Sequence, residues 1–427
     1  MNVFIFPTRN EPGLEIIHAL SKSNKFELFG GSSYEMQYDP ARNLLRNYVL
    51  CPGYRDEDFR ERFCEILAAN KIDLVFPAWD PLVAIFSEWH VPGVAFITPR
   101  PDIAKLLLSK QDTYLRLRDH VPVPRMYPPD DAPLPCFAKP DRDSGSRGVM
   151  EITTPNLLRM AIEQNLLLCE YLPGEEYTVD CISDLDGRLL FANVRHRARI
   201  GRGIALGAVG VHHPRIQHHV EKIAKILHVE GPWFAQFKEN GAGEPVLMEI
   251  NARIAGSMGL TRMCGINIPL MSAFLFTGHA LRVPQARAGV LVNRALSFYV
   301  DHEPFEAVIW DWDDTLIRKD GKPDPAAMAC LYDLHNRGIR QWLVTKNPNV
   351  DALMERHQIP RFFEATRVSE DKAAALNGLL REYDIEPTRC VLVNDSYTER
   401  FQIESRHPLL RVVTPDALEY LGRERFD

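Results

Sequence analysis

Short apolar runs alternate with amphipathic stretches at the start of the chain. The runs predict strands, and the stretches, whose apolar positions recur at helical spacing, predict helices. The predicted strands are residues 3–6, 26–29 and 74–77, and the predicted helices are residues 14–20 and 57–70. This alternation is typical of a doubly wound α/β domain, which we predict for residues 1–105. The turn after the first strand lacks a G-x-G-x-x-G motif and gives a dinucleotide site little support.

The alternation of strands and helices gives way to a different pattern after residue 105 and returns near residue 300. Residues 106–295 contain more antiparallel-looking strands and a proline-rich surface loop at residues 128–135, and residues 283–306 form the passage to a third unit. From residue 307 strands and helices alternate again, which predicts a small parallel sheet with helices on both faces. The alternating elements are residues 307–310, 325–337, 340–344, 349–358, 370–383 and 390–393. We place this third domain at residues 303–427.

Composition and charge narrow the class of protein. The chain of 427 residues is 45% hydrophobic and 25% charged, ordinary values for a soluble globular protein. Its formal net charge of −7 gives no reason to expect nucleic-acid or membrane binding. No apolar run approaches the roughly 18 residues of a transmembrane helix, and no cleavable leader precedes the first strand. We therefore expect a cytoplasmic protein whose eight scattered cysteines are reduced and buried.

Residues 137–149 combine two features that a nucleotide phosphate requires. Lys139 closes a short strand and supplies a cation, and Gly145, Ser146 and Gly148 lie in the loop that follows. Glycines in such a loop let backbone amides approach phosphate oxygens.

The strand at residues 246–253 carries candidate ligands for a metal ion. Glu249, Asn251 and Arg253 occupy alternate positions and share one face of the strand. With Gln236, Glu249 and Asn251 offer the oxygen ligands that Mg²⁺ prefers, and Arg253 continues the face toward the phosphates. The alternative for Gln236 is a structural strand residue that hydrogen-bonds to its neighbours.

The order and spacing of these residues resemble the ATP-grasp superfamily over residues 1–295, and most closely its carboxylate–amine ligases and carbamoyl-phosphate-synthase-like members. The resemblance implies an α/β domain followed by an α+β clamp that binds ATP and Mg²⁺. The implied roles are phosphate contacts for Lys110 and Lys139, adenine contacts for Glu170 and Leu172, a ribose contact for Glu176, Mg²⁺ binding for Gln236, Glu249 and Asn251, and stabilisation of the transferring phosphoryl group for Arg253.

Ligases of this kind transfer the γ-phosphoryl group of ATP to a carboxylate, and an amine or similar nucleophile then attacks the acyl phosphate. Arg195, Arg197, Arg199 and Arg202 precede a glycine-rich stretch. They either bind the carboxylate substrate or form a solvated basic strand, and the sequence leaves both interpretations open. The histidine pairs at 212–213 and 218–219 lack an acidic or cysteine partner at ligand spacing, which argues against zinc.

The apolar strand at residues 307–310 ends in two carboxylates. Asp311 and Asp313 project at its carboxyl end on one side. Two carboxylates at this spacing can divide the work of phosphate transfer. One attacks phosphorus, and the other donates a proton to the leaving group and later activates water.

Three further motifs follow at residues 343–347, 370–372 and 391–395. Together with the aspartates they resemble the haloacid dehalogenase superfamily of phosphatases over residues 307–427. The resemblance implies a small Rossmann-like fold with Asp311 as nucleophile, Asp313 as acid and base, Thr345 and Lys372 on the phosphate, and Asp311, Asp313 and Asp395 around Mg²⁺.

Two details depart from the common pattern of that superfamily. Asn394 stands where many relatives have a second acid, which puts the affinity for Mg²⁺ in doubt. The 29 residues between Asp313 and Leu343 are too few for a cap domain. We therefore expect an open, capless site.

The leading interpretation is a bifunctional enzyme. Its ATP-grasp part joins a small-molecule carboxylate to an amine, and its C-terminal domain removes a phosphoryl group from a phosphorylated compound of the same pathway. The alternatives are an ATP-grasp kinase paired with a phosphatase, and a nucleotide-sensing regulatory protein. We expect no nucleic-acid or membrane partner, and a homodimer is a possibility that the sequence leaves open.

Overall fold

The structure is a computed structural model that describes residues 1–34, 38–142, 148–201, 203–283, 290–300, 303–359 and 362–422. The chain divides into two compact units, Met1–Leu296 and Ser297–Asp427. Among the described residues, no helix combines the length and the apolar character needed to cross a membrane. All eight cysteines are free, and six of them are buried.

The first unit begins with a parallel sheet. Its elements are β1 (Asn2–Phe6), α1 (Glu11–Leu20), β2 (Glu27–Ser32), β3 (Asn47–Leu50), α2 (Phe59–Ala69), β4 (Leu74–Pro77), α3 (Asp80–Ser87) and β5 (Ala95–Phe96). The strand order is β3-β2-β1-β4-β5. Val3 and Ile5 of β1 pack with α1, whereas Phe4 and Phe6 pack with α2 and α3. Both faces are therefore covered, as the doubly wound prediction requires.

A smaller antiparallel sheet follows two helices. The elements are α4 (Pro101–Leu108), α5 (Lys110–Leu117), β6 (Met126–Tyr127), β7 (Cys136–Lys139), β8 (Met150–Ile152), α6 (Pro155–Glu163) and β9 (Leu167–Glu170), with strand order β6-β9-β7-β8. The predicted boundary near residue 105 falls inside α4. The predicted proline-rich loop lies between β6 and β7 and contains one short 3₁₀ turn.

A larger antiparallel sheet completes the first unit. Its elements are β10 (Glu176–Ser183), β11 (Leu189–Gly201), β12 (Ile204–Gly210), α7 (Pro214–Leu227), β13 (Gly231–Glu239), β14 (Pro245–Asn251), α8 (Gly259–Met263), α9 (Ile268–Phe276) and β15 (Leu291–Asn293). The strand order is β14-β13-β10-β11-β12-β15. Val179, Ala235 and Ile250 bury one face against α7. The opposite face carries polar side chains together with Ile182 and Phe234, which pack with α9.

The second unit is built on a sheet of five parallel strands in the order β18-β17-β16-β19-β20. Its elements are β16 (Ala307–Trp310), α10 (Pro325–Asn336), β17 (Arg340–Thr345), α11 (Val350–Arg356), β18 (Ala365–Val368), α12 (Lys372–Glu382), β19 (Cys390–Val393), α13 (Tyr397–Arg406) and β20 (Arg411–Val413). Val308 and Trp310 pack with α10 and α11, and Ala307 and Ile309 pack with α12 and α13. The prediction of a parallel sheet covered on both faces is confirmed.

A substitution at Gly31 tests how tightly the first sheet is packed. A Cβ atom on Gly31 would lie 1.9 Å from the backbone oxygen of Val49 on the neighbouring strand. Backbone cannot move aside cheaply, so we expect Gly31→Ala to lower the free energy of unfolding by about 1–3 kcal/mol. The measurement is urea denaturation followed by tryptophan fluorescence. Gly241→Ala is the matched control, because a Cβ there meets no atom within 4 Å, and equal stability of the two variants would contradict the prediction.

Candidate active sites

One face of the larger sheet of the first unit carries a row of polar side chains. Glu249 of β14 pairs with Gln236 of β13, and Gln236 pairs with Thr178 of β10. Thr178 in turn pairs with Arg195 of β11. Residues directly opposite on antiparallel strands share a face, and so do alternate residues of one strand. The predicted Mg²⁺ ligands Glu249, Gln236 and Asn251 therefore lie side by side.

A β-bulge in β14 connects this face to Lys139. The pairing of β13 with β14 skips Met248, and its freed backbone carbonyl accepts a hydrogen bond from the hydroxyl of Tyr114. The same hydroxyl accepts a hydrogen bond of 2.6 Å from Nζ of Lys139. Burial lowers the pKa of Lys139 and raises that of Tyr114 well above its ordinary value. Lys139 is thus a buried amine in contact with a neutral phenol.

Lys110 lies one helical turn from Tyr114 on α5. Its Nζ donates to the backbone carbonyl of Asp141 at 3.4 Å. The predicted glycine-rich loop begins just beyond Asp141. Gly148 adopts a left-handed conformation with φ of 64°, whereas Gly145 and Ser146 lie outside the described residues.

The residues predicted to contact adenine and ribose lie on different strands. Glu170 ends β9 and accepts a hydrogen bond of 3.3 Å from the backbone amide of Arg125. Leu172 is buried. Glu176 begins β10 and forms ion pairs with Arg197 at 2.8 Å and with Lys238 at 3.0 Å.

Two arginines of β11 are not solvated, whereas Arg199 on the same strand is exposed. Arg195 and Arg197 are both buried. Arg195 pairs with Asp180 through contacts of 2.6 and 2.7 Å, and Arg197 also contacts Gln236 at 3.3 Å. Burial corrects the solvated interpretation for these two residues, while Arg202 lies outside the described residues. Arg195 Nη1, Arg197 Nε and Thr178 Oγ1 lack a hydrogen-bond partner among the described residues, so this face retains polar groups for water or a ligand.

Arg253 has a carboxylate partner. Asp80, the first residue of α3, accepts two hydrogen bonds from its guanidinium at 2.7 and 2.8 Å. The predicted contact of Arg253 with a phosphoryl group stays a prediction, and its charge is compensated by Asp80 in this structure.

A cavity of about 440 Å³ opens beside these groups. Lys110, Glu249 and Asn251 line one side. The other side is lined by residues that follow the carboxyl ends of β2, β3 and β4, namely Tyr34, Tyr54, Arg55, Trp79 and Asp80. Crevices outside the carboxyl ends of parallel strands are common ligand sites.

The second unit gathers its polar residues at the carboxyl edge of its own sheet. Asp311 is buried, and its carboxylate contacts Nζ of Lys372 at 2.7 Å and Nδ2 of Asn394 at 2.8 Å. Burial raises the pKa of Asp311 to about 6, although the charge of Lys372 opposes the rise. The predicted nucleophile and the predicted phosphate-binding lysine are therefore in direct contact.

Glu399, near the start of α13, joins this group. Its carboxylate contacts Nζ of Lys372 at 2.6 Å, Nζ of Lys346 at 2.9 Å and Nδ2 of Asn394 at 3.0 Å. Burial alone would raise the pKa of Glu399, but hydrogen bonds from the two lysines and Asn394 lower it to about 2.

The other predicted residues of this unit lie around the edge. Asp313 is exposed and accepts a hydrogen bond of 3.3 Å from the side-chain amide of Asn347. Thr345 is buried at the end of β17, and its hydroxyl accepts a hydrogen bond from the Asn347 backbone amide at 3.0 Å. Burial, followed by the charge of Asp314, raises the pKa of Asp395. In the described part of the chain, no three His, Cys, Asp or Glu residues form a group that could hold a metal ion.

Comparisons with known proteins bear on the first unit. A family described as ATP-grasp in the biosynthetic pathway with Ter operon matches residues 163–297. The comparison with curated proteins finds no match. The first unit contains an ATP-grasp domain.

Solved structures agree with this assignment at the level of fold. The biotin carboxylase domain of Hydrogenobacter thermophilus 2-oxoglutarate carboxylase is similar, with a TM-score of 0.57, 17% identity, and coverage of 68% of this chain and 73% of that chain. The purK N5-carboxyaminoimidazole ribonucleotide synthetase has a TM-score of 0.55, 12% identity, and coverage of 68% and 79%. An L-amino acid ligase from Bacillus licheniformis has a TM-score of 0.50, 17% identity, and coverage of 64% and 74%.

Sequence reasoning missed three residues of the sites. Tyr114 follows Lys110 by one helical turn in the ATP-grasp unit, a spacing that could have revealed it. Glu399 stands three residues after Ser396, which marks a capping box, but its side chain reaches the lysines instead. Asp80 carries no local signal, because its partner Arg253 is 173 residues away.

The pairing of Glu399 makes stability depend on pH. Its pKa in the folded state, about 2, lies below the ordinary value of 4.5. The carboxylate therefore stabilises the fold above about pH 4.5, and this contribution is lost as the pH falls toward about 2. We expect Glu399→Gln to be less stable than the wild type near neutral pH and the difference to shrink over that window.

Urea denaturation at several pH values measures this difference. Glu404→Gln, at an exposed position of the same helix, is the control and should match the wild type throughout. A difference in stability between Glu399→Gln and the wild type that does not change with pH would contradict the prediction.

Proposed function

We propose that the first unit is an ADP-forming ligase that uses ATP and Mg²⁺ to join a small-molecule carboxylate to an amine. The observation that carries the proposal is the polar row of Glu249, Gln236 and Asn251 beside a buried Lys139. One carboxylate and two amide side chains supply hard oxygen donors, which fits Mg²⁺. The bound ion would neutralise charge on the nucleotide phosphates.

The chain's own residues support the two half-reactions by binding and orienting. A substrate carboxylate oxygen attacks the γ-phosphorus of ATP, and ADP leaves, which gives an acyl phosphate. The amine then attacks the acyl carbon, phosphate departs, and the amine loses its proton. Lys139 and Lys110 balance phosphate charge, and the 440 Å³ cavity beside Lys110, Glu249 and Asn251 has room for a small acid.

For the second unit the proposal is a phosphohydrolase with Asp311 as nucleophile. A carboxylate oxygen of Asp311 attacks the phosphorus of a monoester, and the leaving alkoxide takes a proton from Asp313. Water, deprotonated by Asp313, then attacks the aspartyl phosphate and releases phosphate. Support comes from the buried Asp311, its contact with Lys372 at 2.7 Å, and the acidic residues Asp313 and Asp395 at the same edge. Asp311 and Asp395 would bind Mg²⁺.

The ligase proposal predicts ADP formation that requires both substrates. The purified chain is incubated with ATP, Mg²⁺ and pairs of amino acids and small carboxylates, and nucleotides and phosphate are separated by chromatography. We expect ADP and phosphate only when a carboxylate and an amine are both present. A stable phosphorylated product without an amine would favour a kinase, AMP would exclude acyl-phosphate chemistry, and nucleotide binding without turnover would favour a sensor.

Reciprocal variants test the assignment of one chemistry to each unit. Glu249→Gln removes the only carboxylate of the proposed Mg²⁺ ligands in the first unit, so we expect ADP formation to fall by at least about a hundredfold. Asp311→Asn removes the nucleophile, so we expect hydrolysis of p-nitrophenyl phosphate to be lost. Each variant should keep the other activity. Loss of both activities in Asp311→Asn would show that the two sites depend on each other.

A further inference from the structure

The cavity of the first unit has an aromatic wall, formed by Tyr34, Tyr54 and Trp79. These rings follow the carboxyl ends of the parallel strands, whereas the groups proposed to hold ATP phosphates and Mg²⁺ line the other side. The rings of Tyr54 and Trp79 pack edge to face, with centroids 4.8 Å apart and an angle of 86° between their planes. Pro81 and Leu108 add apolar surface to the lining. The cavity therefore offers an apolar surface as well as a charged one.

The nucleotide does not account for the aromatic wall. The residues that the structure describes along the cavity do not include Glu170 and Leu172, the predicted adenine contacts. Phosphates and Mg²⁺ are bound by polar groups. The volume of about 440 Å³ lies in the range of roughly 300–1,000 Å³ that small-molecule sites occupy. Because aromatic rings pack well against another ring, a second ligand with a ring suits this wall.

The carboxylates of the cavity are already engaged. Among the described residues of its lining, Asp80 and Glu249 are the two that carry a carboxylate. Asp80 accepts two hydrogen bonds from Arg253, at 2.7 and 2.8 Å, and Glu249 is the proposed Mg²⁺ ligand. An ammonium group in the cavity would therefore lack a carboxylate to pair with. Removing an unpaired charge from water is costly.

Positive charge lies against the same wall. Cζ of Arg55 is 5.2 Å from the centroid of the Tyr54 ring, and Cζ of Arg9 is 3.7 Å from that of the Tyr34 ring. Guanidinium groups within about 6 Å of a ring centroid are attracted to the ring. These contacts hold two cations beside the aromatic wall, where they favour an anionic ligand over one that carries an ammonium group.

We propose that this cavity receives the carboxylate substrate, and that this substrate is an aromatic acid without an ammonium group. Its ring packs against Tyr54 and Trp79, and its carboxylate extends toward the proposed Mg²⁺ ligands Glu249 and Asn251. The cavity is thereby assigned to the acyl donor of the reaction rather than to the amine. This inference rests on the ligase function proposed for the first unit.

Hydroxylamine provides a test that does not depend on the identity of the amine. Its nitrogen attacks the acyl carbon of an acyl phosphate, phosphate departs, the nitrogen loses a proton, and the hydroxamate is measured as its coloured iron(III) complex. The full chain is incubated with ATP, Mg²⁺, hydroxylamine and one acid from a matched panel. Benzoate is matched with cyclohexanecarboxylate, and 3-phenylpropanoate is matched with propanoate and with phenylalanine. We expect kcat/KM for each aryl acid to exceed that of its matched compounds by at least about tenfold.

Variants of the aromatic wall test which residues are responsible. Tyr54→Leu and Trp79→Leu each remove one ring, so we expect the KM for the preferred aryl acid to rise at least about tenfold while the KM for ATP is unchanged. Calorimetric titration of that acid, in the presence of ADP and Mg²⁺, should show the same weakening without turnover. Tyr332→Leu, at an exposed position of the second unit, is the control. Trp79 also packs in the core, so thermal unfolding establishes that each variant is folded, and Tyr54→Leu serves as the second variant.

The results separate this inference from the ligase proposal. Hydroxamate formed as fast from propanoate or phenylalanine as from 3-phenylpropanoate, or as fast from cyclohexanecarboxylate as from benzoate, would overturn the aromatic acid and leave the ligase standing. A folded Tyr54→Leu variant with an unchanged KM for the aryl acid would do the same. If no acid of either kind yields hydroxamate or ADP, the ligase proposal fails and this inference fails with it.

Discussion

Side chains alternate between the two faces of a β-strand, so the same strands supply residues to the hydrophobic core and to the site. In β14, Ile250 packs in the core, and its neighbours Glu249 and Asn251 lie on the opposite face. In β16 both sets of alternate residues are buried, because helices cover both faces. The polar groups of the site therefore lie beyond the end of the strand, as Asp311 does. The antiparallel sheet presents chemistry on one face, and the parallel sheet, whose two faces are covered by helices, presents it at an end.

Charged groups are buried at both sites, and they are buried in partnered sets. Asp180 compensates Arg195, and Asp80 compensates Arg253. Removing water from an ion is costly, and breaking a buried pair typically destabilises a protein by about 3–5 kcal/mol. These partners also fix the orientation of the groups in advance, which lowers the reorganisation needed when charge develops in a reaction. The same contacts thus stabilise the fold and preorganise the site.

Sequence patterns predicted the elements that have strong hydrophobic periodicity. The strands at residues 307–310 and 390–393 have the predicted bounds, and the doubly wound sheet at the start of the chain follows from its alternating elements. β3 and β20 are short and carry polar or exposed positions, so they gave no comparable signal. Boundaries near residue 105 were obscured because helix follows helix there.

Contacts between residues of a site also differ in whether the sequence could predict them. Glu249 and Asn251 could be placed on one face because strand geometry fixes that relation locally. The contacts Arg253–Asp80 and Lys372–Glu399 join distant segments, and neither partner carries a local pattern that names the other. The ATP-grasp resemblance was supported by comparison, whereas the phosphatase resemblance rests on its motifs and on the geometry of residues 307–422.

The hydrophobic core beside the first sheet is completed by residues that lie far along the chain. Val3 and Ile5 share a hydrophobic cluster with Ile268, Ala273 and Leu275, which belong to α9. A ribosome that has released the first 100 residues has therefore produced a sheet with part of one apolar face still open to water. That face is closed only after more than 150 further residues have been made, so the early strands need shielding from other nascent chains during synthesis.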